Sequence, residues 1–308
     1  MSRRRRGRPV HGWLIIDKPG GMTSTAVVNK VKWLLDARKA GHGGTLDPMA
    51  TGMLPIAFGE ATKTVSHVMD GSKSYCFTLR WGAETNTDDA EGETVKQSDV
   101  RPDQAAVENV LTGFVGRIEQ VPPQFSAVKI DGVRAYKLAR EDKKVALTAR
   151  EIDIHDIRIV GTPDADHTEF SVVSGKGAYM RALARDIARA AGGLGHISAL
   201  RRTSVGPFDA DDAISLDELE SIGQIAAREQ KLLPVETALD DIPALAVTES
   251  EAMRLRNGQP VSLLRKVDLQ RIAELDNGDT VLAKTRTKPV ALVRYAAGEV
   301  KPFRVLNL

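Results

Sequence analysis

Asp47 lies in the segment of this chain richest in chemical groups, Gly41-His42-Gly43-Gly44-Thr45-Leu46-Asp47-Pro48-Met49-Ala50-Thr51-Gly52. Its glycines permit close approach of backbone to a ligand. Pro48 restricts the residue before it to extended or turn geometry, which can hold the Asp47 carboxylate in one direction. A carboxylate so held serves as a nucleophile or as a base. The competing reading is a tight turn in which Asp47 only accepts hydrogen bonds from backbone amides. Arg181 bears on the choice. It falls in the first turn of a helix, where the macrodipole disfavours a cation by roughly a few tenths of a kcal/mol or more. A partner such as Asp47 would compensate it; an exposed arginine is the alternative. Tyr75 and Tyr179 are two of only four tyrosines. Each offers a phenol and a face on which a base can stack, worth about 1–3 kcal/mol, or else packs in the core. His42 likewise either stacks in an RNA loop or packs.

Other chemistries find little support. Gly59-Glu60-Ala61-Thr62-Lys63-Thr64 imitates part of a Walker A loop but lacks the glycine before its lysine. Gly175-Lys176-Gly177 starts a dinucleotide fingerprint that fails at Met180. ATP and dinucleotides are therefore not expected. The single cysteine, Cys76, cannot form an intrachain disulfide, and the six histidines are scattered. No metal site is expected, and a reducing cytoplasm fits the cysteine usage. No apolar run approaches the ~20 residues of a membrane span, and no secretory signal opens the chain.

Net charge is only +2, but it is unevenly placed. Residues 1–40 hold ten Lys and Arg against Asp17 and Asp36. Glu84 to Glu93 carries five carboxylates and Asp209 to Glu220 six, with no basic residue in either. This layout favours one face for a polyanion with other faces kept off it. Solvated loops and a disordered arginine tail are the plainer reading.

The elements that must position these groups follow from pattern. Residues 1–10 form a basic tail. Gly12 to Ile16 reads as a strand, followed by a Pro19-Gly20-Gly21 turn. Thr23 or Ser24 caps a helix carrying Val27, Val28, Val31, Leu34 and Leu35, with Arg38 and Lys39 in its last turn and Gly41 as its stop. Residues 41–59 read as a loop of fixed shape. Tyr75 to Trp81 alternates as a strand, and Pro102 opens a helix with Val107, Val110, Leu111 and Phe114. Phe125 to Ile130 reads as a strand turning at Asp131-Gly132. Glu169 to Val173 is a further strand, entering the loop Ser174 to Ala178. The next helix places Met180, Leu183, Ala184, Ile187, Ala188 and Ala191 on one face and stops at Gly192-Gly193. Strands and helices do not alternate regularly, so an α+β fold is expected. After Ile242-Pro243, Thr248 and Glu251 form a capping box for a short helix. Short β runs at Thr280 to Lys284, Pro289 to Tyr295 and Phe303 to Leu306 complete a small β module.

Taken in order, these segments resemble the bacterial tRNA pseudouridine-55 synthases, the TruB family. The resemblance rests on Lys18 to Ser24 (KPGGMTS), Gly41 to Pro55 (GHGGTLDPMATGMLP), Gly59 to Lys63 (GEATK) and Trp81 to Asp88 (WGAETNTD). It continues through Pro122 to Lys129 (PPQFSAVK), Gly175 to Arg181 (GKGAYMR) and Leu200-Arg201-Arg202. It implies a mixed, mainly antiparallel sheet flanked by helices over residues 11–240, and a C-terminal PUA-like RNA-binding module over 241–308. It implies that Asp47 is the catalytic aspartate, Tyr75 the tyrosine contacting the target base and Arg181 the partner of the aspartate. Tyr179 corresponds to a pocket residue, His42 to a histidine contacting the T loop, Lys63 to a basic residue near the RNA, and Leu200 to a substrate-binding position. Gly43, Thr45 and Met180 depart from common variants without removing a functional group, and the arginine tail lies outside the shared pattern.

The implied reaction turns a uridine of the tRNA T loop into pseudouridine. The N1–C1′ bond breaks, the base turns, and C5 joins C1′. This is redox-neutral and needs no cofactor or metal. The target base leaves its stack at a cost of about a few kcal/mol, least in a loop. Asp47 acts either at C1′ as nucleophile or at C2′ as base. Basic residues near the N-terminus and Arg201-Arg202 are expected to hold phosphates. The expected partner is the tRNA T stem-loop, bound by a cytoplasmic monomer needing neither guide RNA nor protein partner. The rival readings are a non-catalytic tRNA-binding or tRNA-folding protein, a guide-dependent synthase, and a hydrolase releasing uracil.

Overall fold

A computed structural model describes residues 7–126, 129–130, 133–134, 147–263, 268 and 272–308. Arg3 to Arg6 of the tail and the expected Asp131-Gly132 turn lie outside these residues. The strand expected from Phe125 appears only in part, as Lys129–Ile130 pairing with Val133–Arg134.

A nine-stranded sheet organises most of the chain. Its order is Ala213–Ser215, Gly12–Lys18, Thr51–Phe58, Gly195–Val205, Lys73–Trp81, His167–Ser174, Arg150–Asp164 and Gly116–Gln120. The short strand Ala40–His42 adds to Thr51–Phe58. Gly12–Lys18 with Ala213–Ser215, and Gly195–Val205 with Thr51–Phe58, pair in parallel. The other pairings are antiparallel. The sheet is therefore mixed and mainly antiparallel, as expected. Helices Ser24–Leu34 and Met180–Ala190 bury their apolar stripes, Val27, Val31 and Leu34 on one and Leu183, Ala184, Ile187 and Ala188 on the other, in one continuous core.

Two expectations near the Asp47 segment are corrected. The first helix ends at Leu34, not beside Gly41. Asp36 takes the left-handed conformation (φ 44°) that glycine usually fills. The Ala37 N–H reaches Lys32 O at 2.9 Å and the Asp36 N–H reaches Trp33 O at 3.0 Å, closing a Schellman cap. Residues 41–59 are not one loop either. Ala40–His42 and Thr51–Phe58 are strands, leaving only residues 43–50 irregular. Pro55 sits inside the second of these strands. Its carbonyl accepts the Gly43 N–H at 2.8 Å, so its nitrogen faces the same side. There Gly195–Val205 pairs only with Thr51 and Gly52, and Ala40–His42 only with residues 56–58. Proline falls between these partial partners, where its missing N–H breaks no ladder bond.

The C-terminal residues form a five-stranded sheet in the order Ala244–Ala246, Thr280–Lys284, Pro289–Ala296, Glu299–Val305, Val261–Ser262. The Thr248–Glu251 capping box opens the helix Glu249–Arg256 as expected. One face of this module buries its own cluster around Leu255, Val281 and Val293. Leu282, Leu292 and Leu306 instead join Trp13, Ile15 and Phe208 of the large sheet. Among the described residues no helix is long and apolar enough to cross a membrane.

Gly52 is where the large sheet is least forgiving. Its φ is +96°, and an added Cβ would stand 2.2 Å from the Arg202 carbonyl oxygen. Gly52→Ala should cost roughly 2–4 kcal/mol in urea unfolding, combining strain and overpacking. Gly113→Ala, where a Cβ would meet nothing within 4 Å, should change stability by less than about 0.5 kcal/mol.

Candidate active site

Residues 43–50 bridge two adjacent strands, so the loop is fixed at both ends. It is also braced from below. Ser24 Oγ donates to Leu46 O at 2.8 Å and accepts the Leu46 N–H at 2.8 Å. Lys18 is 0% exposed, and its ammonium donates to Pro19 O at 2.8 Å, Met22 O at 2.7 Å and Pro48 O at 3.0 Å. Burial pushes the Lys18 ammonium below its usual range, while the charges of Asp47 and Glu91 pull it back up. A lysine in the Lys18–Ser24 segment thus clasps the residue that follows Asp47. No sequence signal marked that lysine as a buried one.

The Asp47 side chain remains about one-third exposed, at 35%. Arg181 approaches it from the first turn of Met180–Ala190. Arg181 Nη2 donates to Asp47 Oδ1 at 3.1 Å, and Nε lies 2.9 Å from Oδ2. The Nε contact is an ion pair whose angle falls outside hydrogen-bond geometry. Arg181 is 5% exposed, so the exposed-arginine alternative is excluded. It also donates to Thr87 O at 2.8 Å and Phe125 O at 3.0 Å, and Nη1 lies 3.4 Å from Asp89 Oδ2. A buried guanidinium thereby joins four separate segments.

Asp89 belongs to a larger pattern that composition misread. The acidic stretch from Glu84 was expected on a face kept off a polyanion, or in solvated loops. Glu84, Asp88 and Asp89 are instead buried against the arginine helix. Arg185 Nη1 pairs with Asp88 Oδ2 at 2.9 Å, and Arg189 Nε with Glu84 Oε1 at 2.5 Å. Arg181, Arg185 and Arg189 are four residues apart, one helical face. That spacing was visible in the sequence, but only Arg181 had been singled out. Burial pushes the Asp88 carboxyl up, against the downward pull of Arg185 and Arg181. Thr87 Oγ1 donates to Asp89 Oδ1 at 2.6 Å and the Glu91 N–H to the same oxygen at 3.0 Å, which sets the Asp89 rotamer.

The remaining candidates fall into two groups. Tyr179 caps the arginine helix, its backbone held by Gln120 through bonds of 2.8 and 3.2 Å. Burial raises its phenol above the usual range, with the Arg150 charge pulling it down and the Asp47 charge pushing it up. Tyr75 is half-buried against the core and pairs across the sheet with Arg202. His42 ends the strand that enters the loop, and burial followed by the Arg202 charge lowers its imidazole, keeping it neutral near pH 7. These residues surround the loop. Leu200 is a core residue, 7% exposed, opposite Phe77. Lys63 is engaged elsewhere, donating to Glu60 Oε2 at 2.6 Å and to Val305 O at 2.7 Å of the C-terminal sheet. Arg202 is 2% exposed, which corrects its expected role as a phosphate ligand. Arg201 holds Asp17 with two bonds of 2.9 and 2.8 Å. Among the described residues no group of three or more His, Cys, Asp and Glu side chains could hold a metal.

An oriented, partly open carboxylate beside a buried guanidinium and two half-buried tyrosines can bind a planar base and present an anionic oxygen to its sugar. Comparison with known proteins points to the same chemistry. The TruB family pseudouridylate synthase N-terminal domain matches residues 32–180, and the tRNA pseudouridylate synthase B C-terminal domain matches residues 181–240. The tRNA pseudouridine synthase B of Rhodospirillum rubrum is 55% identical over 308 residues, covering 100% of both chains. That of Caulobacter vibrioides is 51% identical over 310 residues, again covering 100% of both. Among solved structures, a chain of a Cbf5-Nop10-Gar1 complex has a TM-score of 0.73 at 25% identity, covering 100% of this chain and 91% of that one. The chain belongs to the TruB family of pseudouridylate synthases.

Proposed function

We propose that this protein isomerises the uridine at position 55, in the T loop of tRNA, to pseudouridine, with Asp47 as its catalytic carboxylate. The observation that carries the reading is the Arg181 guanidinium against both oxygens of a carboxylate that stays 35% exposed. A purely structural aspartate would have its oxygens satisfied by nearby amides; this one is held by a buried cation and keeps about a third of its surface exposed. Full-length relatives bearing the tRNA pseudouridine synthase name support tRNA as the substrate.

The chemistry follows from these positions. The flipped uridine rests against Tyr75 and Tyr179. Asp47 attacks C1′ or removes the C2′ proton, and either route detaches the base as an anion. The Arg181 charge steadies Asp47 without occupying the outward face of its carboxylate. The detached base turns beside the carboxylate. C5 bonds to C1′ as the Asp47 oxygen leaves C1′ or as its proton returns to C2′. The C5 proton leaves while N1 takes one up, with the Tyr75 phenol nearest in role. Residues 11–240 form the catalytic unit in this reading, and residues 241–308 a module that grips RNA outside the T loop. Lys63 then acts by tying that module to the sheet through Val305. No guide RNA or protein partner takes part, and the enzyme acts in the cytoplasm as a monomer.

Asp47→Asn keeps the shape of the side chain and removes its charge. It should bind tRNA within about threefold of the parent yet lose at least ~1000-fold in tritium release from tRNA labelled at uridine C5. Turnover within tenfold of the parent would overturn the assignment. Binding should also fall at least tenfold between about 50 and 300 mM salt, as phosphate contacts release counterions. Filter binding across that range checks it, and a flat response would rule out a phosphate-dominated footprint.

A further inference from the structure

Arg202 is a buried cation that the mechanism above does not use. It is 2% exposed, and among the described residues no carboxylate pairs with it. Burial draws its guanidinium below the usual range, and the neighbouring Tyr75 phenol pulls it back up. A charge held this way is costly, so its surroundings are informative. Arg202 sits in the sheet between Tyr75, its antiparallel neighbour, and Gly52, its parallel neighbour. Its Nε donates to Met53 O at 2.8 Å and its Nη2 to Gly44 O at 3.1 Å. Gly44 lies three residues before Asp47, and Met53 lies in the strand that leaves the same loop.

We propose that Arg202 is a positioning residue, fixing the Tyr75 phenol against the Asp47 loop and acting on the isomerisation through Tyr75. The proposal rests on the functional reading above. Arg202 is donor-only, so in this role the Tyr75 oxygen accepts from it and the single phenolic O–H points elsewhere. Cross-strand pairing puts both side chains on one face of the sheet, and the two carbonyl bonds stop the guanidinium from swinging away. One side chain thus sets the distance between the group that opens the glycosidic bond and the phenol beside the base. Gly52 and Gly44 leave it room: an added Cβ on Gly44 would stand 3.4 Å from Arg202 Nη1.

The test combines kinetics with a probe on the phenol. The protein is labelled with 3-fluorotyrosine at its four tyrosines, and the Tyr75 resonance is assigned by Tyr75→Phe. Arg202→Met should lower the single-turnover rate on a T stem-loop by roughly tenfold or more while leaving RNA affinity within about twofold. The Tyr75 fluorine resonance should move and that of Tyr295, in the C-terminal sheet, should not. Arg202→Lys should recover part of the rate. An unchanged rate, a loss confined to affinity, or an unmoved Tyr75 resonance would each overturn the proposal. Should Arg202→Met fail to fold, Arg202→Lys carries the same readouts: a smaller rate loss with a shifted Tyr75 resonance supports positioning, and neither change overturns it. Failure of the parent protein to make pseudouridine would instead sink the functional reading, while the resonance still reports on the contact.

Discussion

The Arg181 guanidinium brings a full positive charge into a place 5% exposed. A charge there is tolerable only with close counter-charges and filled hydrogen bonds. Asp47, Asp89, Thr87 O and Phe125 O supply them. Much else follows from that requirement. The acidic segment must fold inward to bring Asp89 near, and Arg185 and Arg189 hold it there through Asp88 and Glu84. Removing one member of such a group leaves an uncompensated charge, at about 3–5 kcal/mol. The helix N-terminus is a poor place for a cation, so Arg181 owes its position to these partners and not to its own helix.

Rigidity and openness are divided between two sides of the same loop. Below it, Lys18 and Ser24 fix the backbone on either side of Asp47, and Arg202 fixes Gly44. Above it, the carboxylate keeps one-third of its surface open. A catalytic group held by rigid elements loses little entropy when substrate arrives. The three clasps are a buried lysine, a buried serine and a buried arginine, each bonded to backbone carbonyls. Such polar groups are stable in a core only when satisfied, so each clasp holds its stretch of loop backbone in place.

How much of this was legible depended on the kind of signal. A strand with alternation, Tyr75 to Trp81, and a helix with an apolar stripe, Met180 to Ala191, are legible to within two residues of the observed Lys73–Trp81 and Met180–Ala190. The Thr51–Phe58 strand does not show because its glycine and proline imitate a loop; its register is set by the long-range antiparallel pairing with Gly12–Lys18, which no local pattern reveals. The first helix was drawn too long because its left-handed cap is Asp36 and not glycine. At the site, the motif segments carried Asp47 and Arg181 directly, and the structure brings the two into contact. The buried roles of Asp89, Lys18 and Arg202 are not legible in the sequence, where Arg202 reads as a phosphate ligand, because burial of a charged residue is a tertiary fact. Lys63 shows the reverse: a basic residue assigned by resemblance to the RNA is here bonded within the protein.

The account holds that one carboxylate, oriented by a buried guanidinium, suffices to move a uracil from N1 to C5 attachment without cofactor or guide. The most direct measurement is the nucleoside composition of a purified tRNA T stem-loop after incubation with this chain alone. The account predicts that one uridine of the loop is replaced by pseudouridine, with no free base released. Unchanged uridine, or free uracil beside an abasic site, would contradict it.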